Sequence, residues 1–438
     1  MLDIRYIREN ADRVKEFTTQ KGYSADIDEL LRLDEQRRSM TGRADELRAE
    51  RNATTPKGER PTPEQIENGK RLKDEIAALE TGLKTVDNDY LTILKKVPNI
   101  PTDDVPVGVS EDENIVERVV GEPTSFDFKP QTHYAIGETR QWIDKERASK
   151  VAGARFAYIK GDLVKLQLAI VQFVIDTLSD ESKLKEIASG AHLDVSTKPF
   201  TPVLPPLMIR TDLYDAMDRL EPRDDRYKLE GDDIWLQGSA EHVLGSMHAD
   251  EIFNEADLPV RYVGYATSFR REAGTYGKDT EGILRMHQFD KLEIESFSTK
   301  EEGLDEHRFF VAIQEYLLST LKLPYRVIQK CTADIGKPNA RGIDMETWMP
   351  GQNTYRETHT ADYMTDYQAR RLQTRVRRQS SAGASEQSGS VELVHTNDAT
   401  AFALGRIMIA IIDNFQTEDG HVVVPEVLRP YIGGRAIL

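Results

Sequence analysis

The sequence predicts an α+β protein with an N-terminal antiparallel helical coiled coil. Two observations lead there. Apolar residues recur in alternating steps of three and four between about residues 27 and 97, and beyond them apolar helical stretches alternate with strand-like runs. At 438 residues the chain has room for two or three domains, because one core seldom grows past ~250–300 residues.

The helical hairpin comes first. Leu30, Leu33, Arg37, Met40, Ala44, Leu47 and Arg51 keep the heptad spacing, and so do Leu72, Ile76, Leu79, Leu83, Val86, Tyr90, Ile93 and Val97. Between them "ATTPKGERPTP" carries three prolines and a glycine, which stop one helix and turn the chain, and Pro98 ends the second helix. At ~1.5 Å per residue the hairpin spans about 40 Å. Residues 36–73 hold ten Lys or Arg against six Asp or Glu, although the whole chain has a net charge of −17. Heptads alone fit a dimerisation coiled coil; the local basic excess favours a reader of phosphate backbone at a distance from the body. The overall acidity argues against wholesale wrapping of nucleic acid.

Residues 1–100 thus read as an arm, 101–130 as a Pro- and acid-rich linker, and 131–438 as the main domain. Within that domain "LVKLQLAIVQFVIDTL" is helical and "PFTPVLPPLMI" and "LPVRYVGYATSF" are strand-like, while "QSSAGASEQSGS" at 379–390 reads as a surface loop. The apolar run "RIMIAIIDNF" falls short of the ~20 residues that cross a bilayer. The charged start "MLDIRYIREN" is unlike a signal peptide, and the single Cys331 provides neither an intrachain disulfide nor a zinc site. A cytoplasmic protein is expected.

The densest chemistry lies in "SFRREAGTYGKDTEGILRMHQFDKLEIESF", residues 268–297, read as strand, loop and strand. Alternation places Arg270 with Glu272 on one strand, and Arg285, His287, Phe289, Lys291 and Glu293 on one face of the other. Such a face suits phosphates, a base and an amino group together. Cross-strand ion pairs on a solvated sheet would produce the same alternation.

The order of residues separates the two readings. "FRREAG", a loop, then "RMHQFDKLE" resembles motif 2 of class II aminoacyl-tRNA synthetases in its seryl-tRNA synthetase form. The resemblance continues through "TPVLPPLMI", where Pro205 matches the motif 1 proline, "LQGSAEHVL", similar to the serine-site segment with Ser239 in place of Thr, and "ATAFALGR", similar to motif 3. It implies an antiparallel catalytic sheet of six to seven strands flanked by helices, and a homodimer. The implied activity joins L-serine to ATP as seryl-adenylate, then passes serine to the 3′ end of tRNA(Ser), with tRNA(Sec) as a second acceptor to be tested.

The resemblance also implies roles. Arg270 bridges the serine carboxylate and the α-phosphate, Arg285 and Arg406 hold the outer phosphates, and Phe289 stacks on adenine beside Glu272. Glu357 and Thr360 match the positions that hold Mg²⁺. Ser239, Glu241, Glu293 and Thr400 match the serine pocket, and Arg37, Arg38, Arg43, Arg48, Arg51, Lys70 and Arg71 are the arm's candidates for tRNA. His287 is expected to be structural, Cys331 a buried small residue, and Lys278 is placed in the motif 2 loop.

Two segments depart from the family pattern. "THTADY" stands where SSCSN is common, so Ala361, Asp362 and Tyr363 replace the CSN triplet, and "HTNDATAFALGR" replaces HTLNGSGLAVGR, with Asp398 for Asn and Ala399 for Gly. Two rival readings remain at this stage: a ligase charging a carrier protein, against which the long arm weighs, and a catalytically silent binding protein, against which the intact charged residues weigh.

Overall fold

The structure is a computed structural model that describes residues 1–54, 61–273, 281–379 and 389–438; Lys278 and residues 380–388 of the Ser/Gly-rich segment lie outside the described residues. The chain divides into two compact units, Met1–Ile100 and Pro101–Leu438.

The first unit contains α1 (Ile4–Glu9), α2 (Ala11–Gln20), α3 (Ile27–Thr54) and α4 (Pro63–Leu94). α4 starts with a capping box in which Thr62 and Gln65 satisfy each other's backbone N–H groups, and Pro63 occupies a first-turn position that needs no N–H. α3 and α4 run antiparallel: Arg37 meets Asp87, Arg48 meets Glu80, and Glu50 faces Arg71, so partners fall along α4 as they rise along α3. Leu47, Leu72 and Ile76 form a buried cluster between them. Arg37 occupies a heptad position because its guanidinium carbon lies 4.0 Å over the Tyr90 ring while its head pairs with Asp87. The second helix ends at Leu94, short of the predicted Val97. Residues just before a proline avoid the α region, and Lys96 and Val97 close the end by short-range bonds to Ile93 and Leu94.

The second unit is built on one eight-stranded sheet. Its strands in chain order are β1 (Ile115–Val120), β2 (Thr201–Val203), β3 (Val260–Phe269), β4 (Gln288–Ser298), β5 (Tyr325–Gln329), β6 (Arg341–Met349), β7 (Thr354–Thr365) and β8 (His395–Ala403). The spatial order is β1-β5-β6-β7-β8-β4-β3-β2. Every pairing is antiparallel except that of β2 with β3. The count exceeds the expected six to seven because both edges gain a strand. β1 comes from the segment read as a linker, and the short β2 comes from the motif 1-like stretch.

One face of this sheet is covered by α5 (Asp162–Ser179), α6 (Gly303–Thr320) and α7 (Leu404–Asn414). Leu292 and Ile294 of β4, Ile343 and Met345 of β6, Ala361 of β7, and Ala399 and Ala401 of β8 enter that core. Their alternate neighbours Lys291, Glu293, Glu295, Asp344, Thr360, Asp362, Asp398 and Thr400 therefore point to the opposite face.

Arg261 of β3 ties the sheet to α6. Its guanidinium pairs with both carboxylate oxygens of Glu306, donates to the carbonyls of Ser196 and Lys198, and lies 5.0 Å from the Phe309 ring. Both side chains are almost fully buried, and all three guanidinium nitrogens donate. Breaking such a pair leaves a charge stranded in the interior. Replacing Glu306 by Ala is expected to lower the stability of the second unit by about 3–5 kcal/mol, seen as a fall in its urea midpoint. An unchanged midpoint would mean that the pair does not anchor the sheet.

Candidate active site

The polar face of the sheet opens into a cleft with two adjoining compartments. One is lined by Arg270, Glu272, Arg285, Phe289, Thr360 and Arg406 among others, and the second by Arg270, Glu241, Glu293, Glu357, Thr360 and Thr400 among others. Arg270, Lys291, Glu357, Thr360 and Thr400 border both. The structure thus brings the residues singled out in the second unit into one place.

The first compartment corrects the strand reading of the charged hairpin. β3 ends at Phe269 and β4 begins at Gln288, so Arg270, Glu272, Arg285 and His287 lie beyond the paired strands. The ladder continues by one bond, from Arg270 N to His287 O, and then Arg271 N turns to Asp225 O while His287 N turns to Arg155 O. Glu272 takes a left-handed backbone with φ of 53°, outside the extended range of a regular strand. Beyond the last paired residues Arg285 and Glu272 still meet side chain to side chain at 2.6 Å, a cross-strand ion pair of the kind the alternation allowed. Arg270 is held by a bond from its Nε to the carbonyl of Gly238 at 3.0 Å, and its guanidinium lies 5.4 Å from the Phe289 ring centre. His287 accepts no catalytic geometry: its Nδ1 is 2.9 Å from the Arg270 carbonyl and its ring packs against Phe156.

Across the compartment, Arg406 at the start of α7 donates to both the backbone carbonyl and the carboxylate of Glu357, at 2.8 and 2.9 Å. Burial works against ionisation of Glu357, but Arg406 and Lys330 outweigh it and hold the carboxyl below its ordinary range. Half of the Glu357 side chain remains exposed to the cleft. The hydroxyl oxygen of Thr360 is buried without a hydrogen-bond partner.

The second compartment centres on Glu293. Its Oε1 accepts from Ser239 Oγ at 2.9 Å and from Thr400 Oγ1 at 3.3 Å, and it pairs with Lys291. Lys291 also donates to Ser239 Oγ at 3.0 Å. Burial pushes the Glu293 carboxyl up, Lys291 opposes the shift, and nearby Glu241 adds to it. Glu241 keeps one carboxylate oxygen without a partner. A buried acceptor of this kind is costly in an apolar surrounding, and a cationic or hydroxyl-bearing ligand would satisfy it.

Two residues that the sequence reading left without a role emerge here. Lys291 shares the face with Phe289 and Glu293, so its spacing in "DKLE" was the available signal. Arg219 had no such signal: it reaches the cleft from a loop and meets Asp398 at 3.1 Å. Cys331 is buried as expected, its thiol donating to the Ser110 carbonyl.

On the helical hairpin most of the arginines singled out are engaged. Arg38 pairs with Glu35, Arg43 with Glu46, Arg48 with Asp45 and Glu80, and Arg71 with Glu75, while Arg51 is partly buried and Lys70 is exposed. Exposed pairs of this type contribute little, about 0–1 kcal/mol, so a polyanion competes for them at small cost.

Comparison with known proteins follows the same division. Residues 1–101 match the seryl-tRNA synthetase N-terminal domain, and residues 226–415 match the tRNA synthetase class II core domain (G, H, P, S and T). The chain is 39% identical over 440 residues to a serine–tRNA ligase of Syntrophotalea carbinolica, with 99% of each covered. It is 36% identical over 446 residues to one from Exiguobacterium sibiricum, with all of both covered. Its fold matches the seryl-tRNA synthetase from Pyrococcus horikoshii complexed with ATP with a TM-score of 0.88 at 35% identity, covering 100% of this chain and 99% of the other. A cytoplasmic serine–tRNA ligase from Naegleria fowleri in complex with AMP matches with a TM-score of 0.83 at 27% identity, covering 100% and 98%. End-to-end similarity in both sequence and fold means that the chain belongs to the seryl-tRNA synthetase family of class II aminoacyl-tRNA synthetases.

Proposed function

We propose that the cleft activates L-serine with ATP and transfers it to tRNA(Ser), with Arg270 at the reacting centre. The observation that carries this reading is the position of Arg270 on the border of both compartments, its head group flanked by the Phe289 ring and anchored by Gly238. A guanidinium there touches an α-phosphate from one side and an amino-acid carboxylate from the other.

The serine carboxylate is ionised at neutral pH and needs no general base. Its oxygen attacks the α-phosphorus, a carboxyl–phosphate bond forms, and the bond to the β-phosphate oxygen breaks with release of pyrophosphate. Arg270 neutralises the charge that gathers at the α-phosphate, and Arg285 and Arg406 hold the outer phosphates. Phe289 and Glu272 receive the adenine. Glu241 takes the ammonium group, while Glu293, oriented by Lys291, Ser239 and Thr400, engages the ammonium and the hydroxyl. Such a pocket rejects alanine because the missing hydroxyl leaves buried acceptors unsatisfied. In the second step the terminal ribose hydroxyl of tRNA attacks the seryl-adenylate carbonyl, an ester forms, the carbonyl–phosphate bond breaks and AMP leaves, with the substrate phosphate as proton acceptor.

The donors present suit Mg²⁺. Glu357 offers a half-exposed carboxylate and Thr360 an unpartnered hydroxyl oxygen on the wall of one cavity, an all-oxygen pair fitting a hard cation. Bound there, Mg²⁺ supplies charge neutralisation to the phosphates of ATP.

A homodimer is supported by the motif 1-like stretch, where Leu204 is 81% exposed and Leu207 and Met208 are also exposed. The basic hairpin is assigned to tRNA(Ser), in the dimer to tRNA bound at the partner's active site, and charging of tRNA(Sec) is a separate assay. Among the described residues no helix is long and apolar enough to cross a membrane, in keeping with work in the cytoplasm.

ATP–pyrophosphate exchange with purified protein and Mg²⁺ is expected with serine and not with threonine, alanine or glycine; exchange driven by another amino acid would overturn the serine assignment. Arg270→Ala is expected to reduce exchange by at least about 100-fold, and near-normal exchange would remove Arg270 from the reacting centre. Replacing residues 36–73 by a short turn is expected to leave exchange within about twofold while abolishing tRNA charging, because the uniform phosphate contacts go with the hairpin. Charging that survives the deletion would mean the hairpin is not the tRNA reader.

A further inference from the structure

We infer that Arg219 is a specificity-determining residue that forms the end wall of the amino-acid pocket and sets the longest side chain the pocket admits. This rests on the assignment of Glu293 and Thr400 to the serine hydroxyl.

The chain delivers Arg219 to the cleft by a constrained turn. The short helix Thr211–Ala216 ends, and Asp218 then takes a left-handed backbone with φ of 59°. That conformation is uncommon for a residue other than glycine, and it is held by Lys337 at 2.7 Å and by the Tyr367 hydroxyl at 3.2 Å. The next residue is Arg219, whose carbonyl accepts from Arg226 Nε at 3.2 Å. Its guanidinium then lies 3.1 Å from Asp398, 3.3 Å from Asn339 and 4.0 Å from Asp362.

Register places this contact relative to the pocket. Asp398 precedes Thr400 by two residues on β8, and it faces Glu295 on one neighbour and Asp362 on the other, while Thr400 faces Glu293. Residues two apart on one face of a strand are separated by about 6.6 Å. Arg219 and its carboxylates therefore stand one short side chain beyond the hydroxyl-binding pair. Arg219, Glu293, Asp362, Asp398 and Thr400 border the same cavity of about 680 Å³, far more than serine occupies, so a boundary at this end is needed for selection by length.

Charge explains why the wall is an arginine. Asp398 and Asp362 occupy positions where the family pattern has uncharged residues, and both are largely buried beside Glu293, Glu295 and Glu241. Burial drives the Asp398 carboxyl well up and Arg219 opposes that shift. A guanidinium between the two aspartates offsets part of that charge and occupies the space at this end of the pocket.

The test compares kcat/KM for serine and for homoserine, one methylene longer, in ATP–pyrophosphate exchange by the full chain. Arg219→Ala is expected to raise the homoserine-to-serine ratio at least about tenfold, the scale of one methylene in a pocket. Arg219→Met keeps the unbranched stem about as far as the Nε position and loses the charge, and is expected to move the ratio less than Arg219→Ala does. Because Arg219→Ala strands two carboxylates, R219A/D362S/D398N is measured beside it with the same expected rise. An unchanged ratio in the triple variant overturns the wall, since a purely structural arginine would lower both activities alike. So does a rise in Arg219→Met equal to that in Arg219→Ala. Wild-type protein without serine-dependent exchange sinks the serine reading itself and is recognised before any variant is compared.

Discussion

Everything in the second unit depends on a sheet with one face sealed under α5, α6 and α7. A period of two leaves no choice about the other face once Leu292, Ile294, Ala399 and Ala401 enter the core. Lys291, Glu293, Asp398 and Thr400 are then forced together on the surface of the cleft. A slip of one residue in any central strand would bury the charges under the helices and expose the core, so the hydrophobic pattern that stabilises the domain also enforces the geometry of the site.

The cost of that arrangement is a crowd of carboxylates in a poorly solvated place. Lys291 and Arg219 offset part of it, and burial raises Glu293, Glu295 and Asp398 toward the neutral form. Glu241 still keeps one buried carboxylate oxygen without a partner, so a cationic or hydroxyl-bearing ligand would be favoured beside it. In the adjoining compartment the balance reverses: Arg270, Arg285 and Arg406 gather there, with Glu272 and Glu357 holding two of them in place. The cleft is thus polarised, acidic at one end and basic at the other, and Arg270 stands at the junction.

The helical hairpin follows a different logic. Its stability comes from a narrow apolar seam, Leu47 with Leu72 and Ile76, reinforced by the Arg37–Tyr90 contact, and its remaining surface is free to carry charge. Arginines there neutralise their own helix neighbours through weak exposed pairs, which keeps the free hairpin from repelling itself and leaves the guanidinium groups exchangeable.

By itself the sequence determined the hairpin, the α+β character of the main domain, the shared face of Phe289, Lys291 and Glu293, and, through ordered motifs, the family. These rest on local periodicity or on short runs of residues. It did not determine where the charged strands stop. The ladder stops after Arg270 because the carbonyls of Asp225 and Arg155, distant in the chain, take the backbone N–H groups of Arg271 and His287. Nor did it announce the two added edge strands, since β1 sits in a Pro- and acid-rich stretch and β2 is only three residues long. The clearest case is Arg219, which meets Asp398 across 179 positions of sequence. Alternation and heptads report neighbours within a few residues, whereas a contact of that span exists only after the sheet has closed and the left-handed turn at Asp218 has aimed the side chain into it.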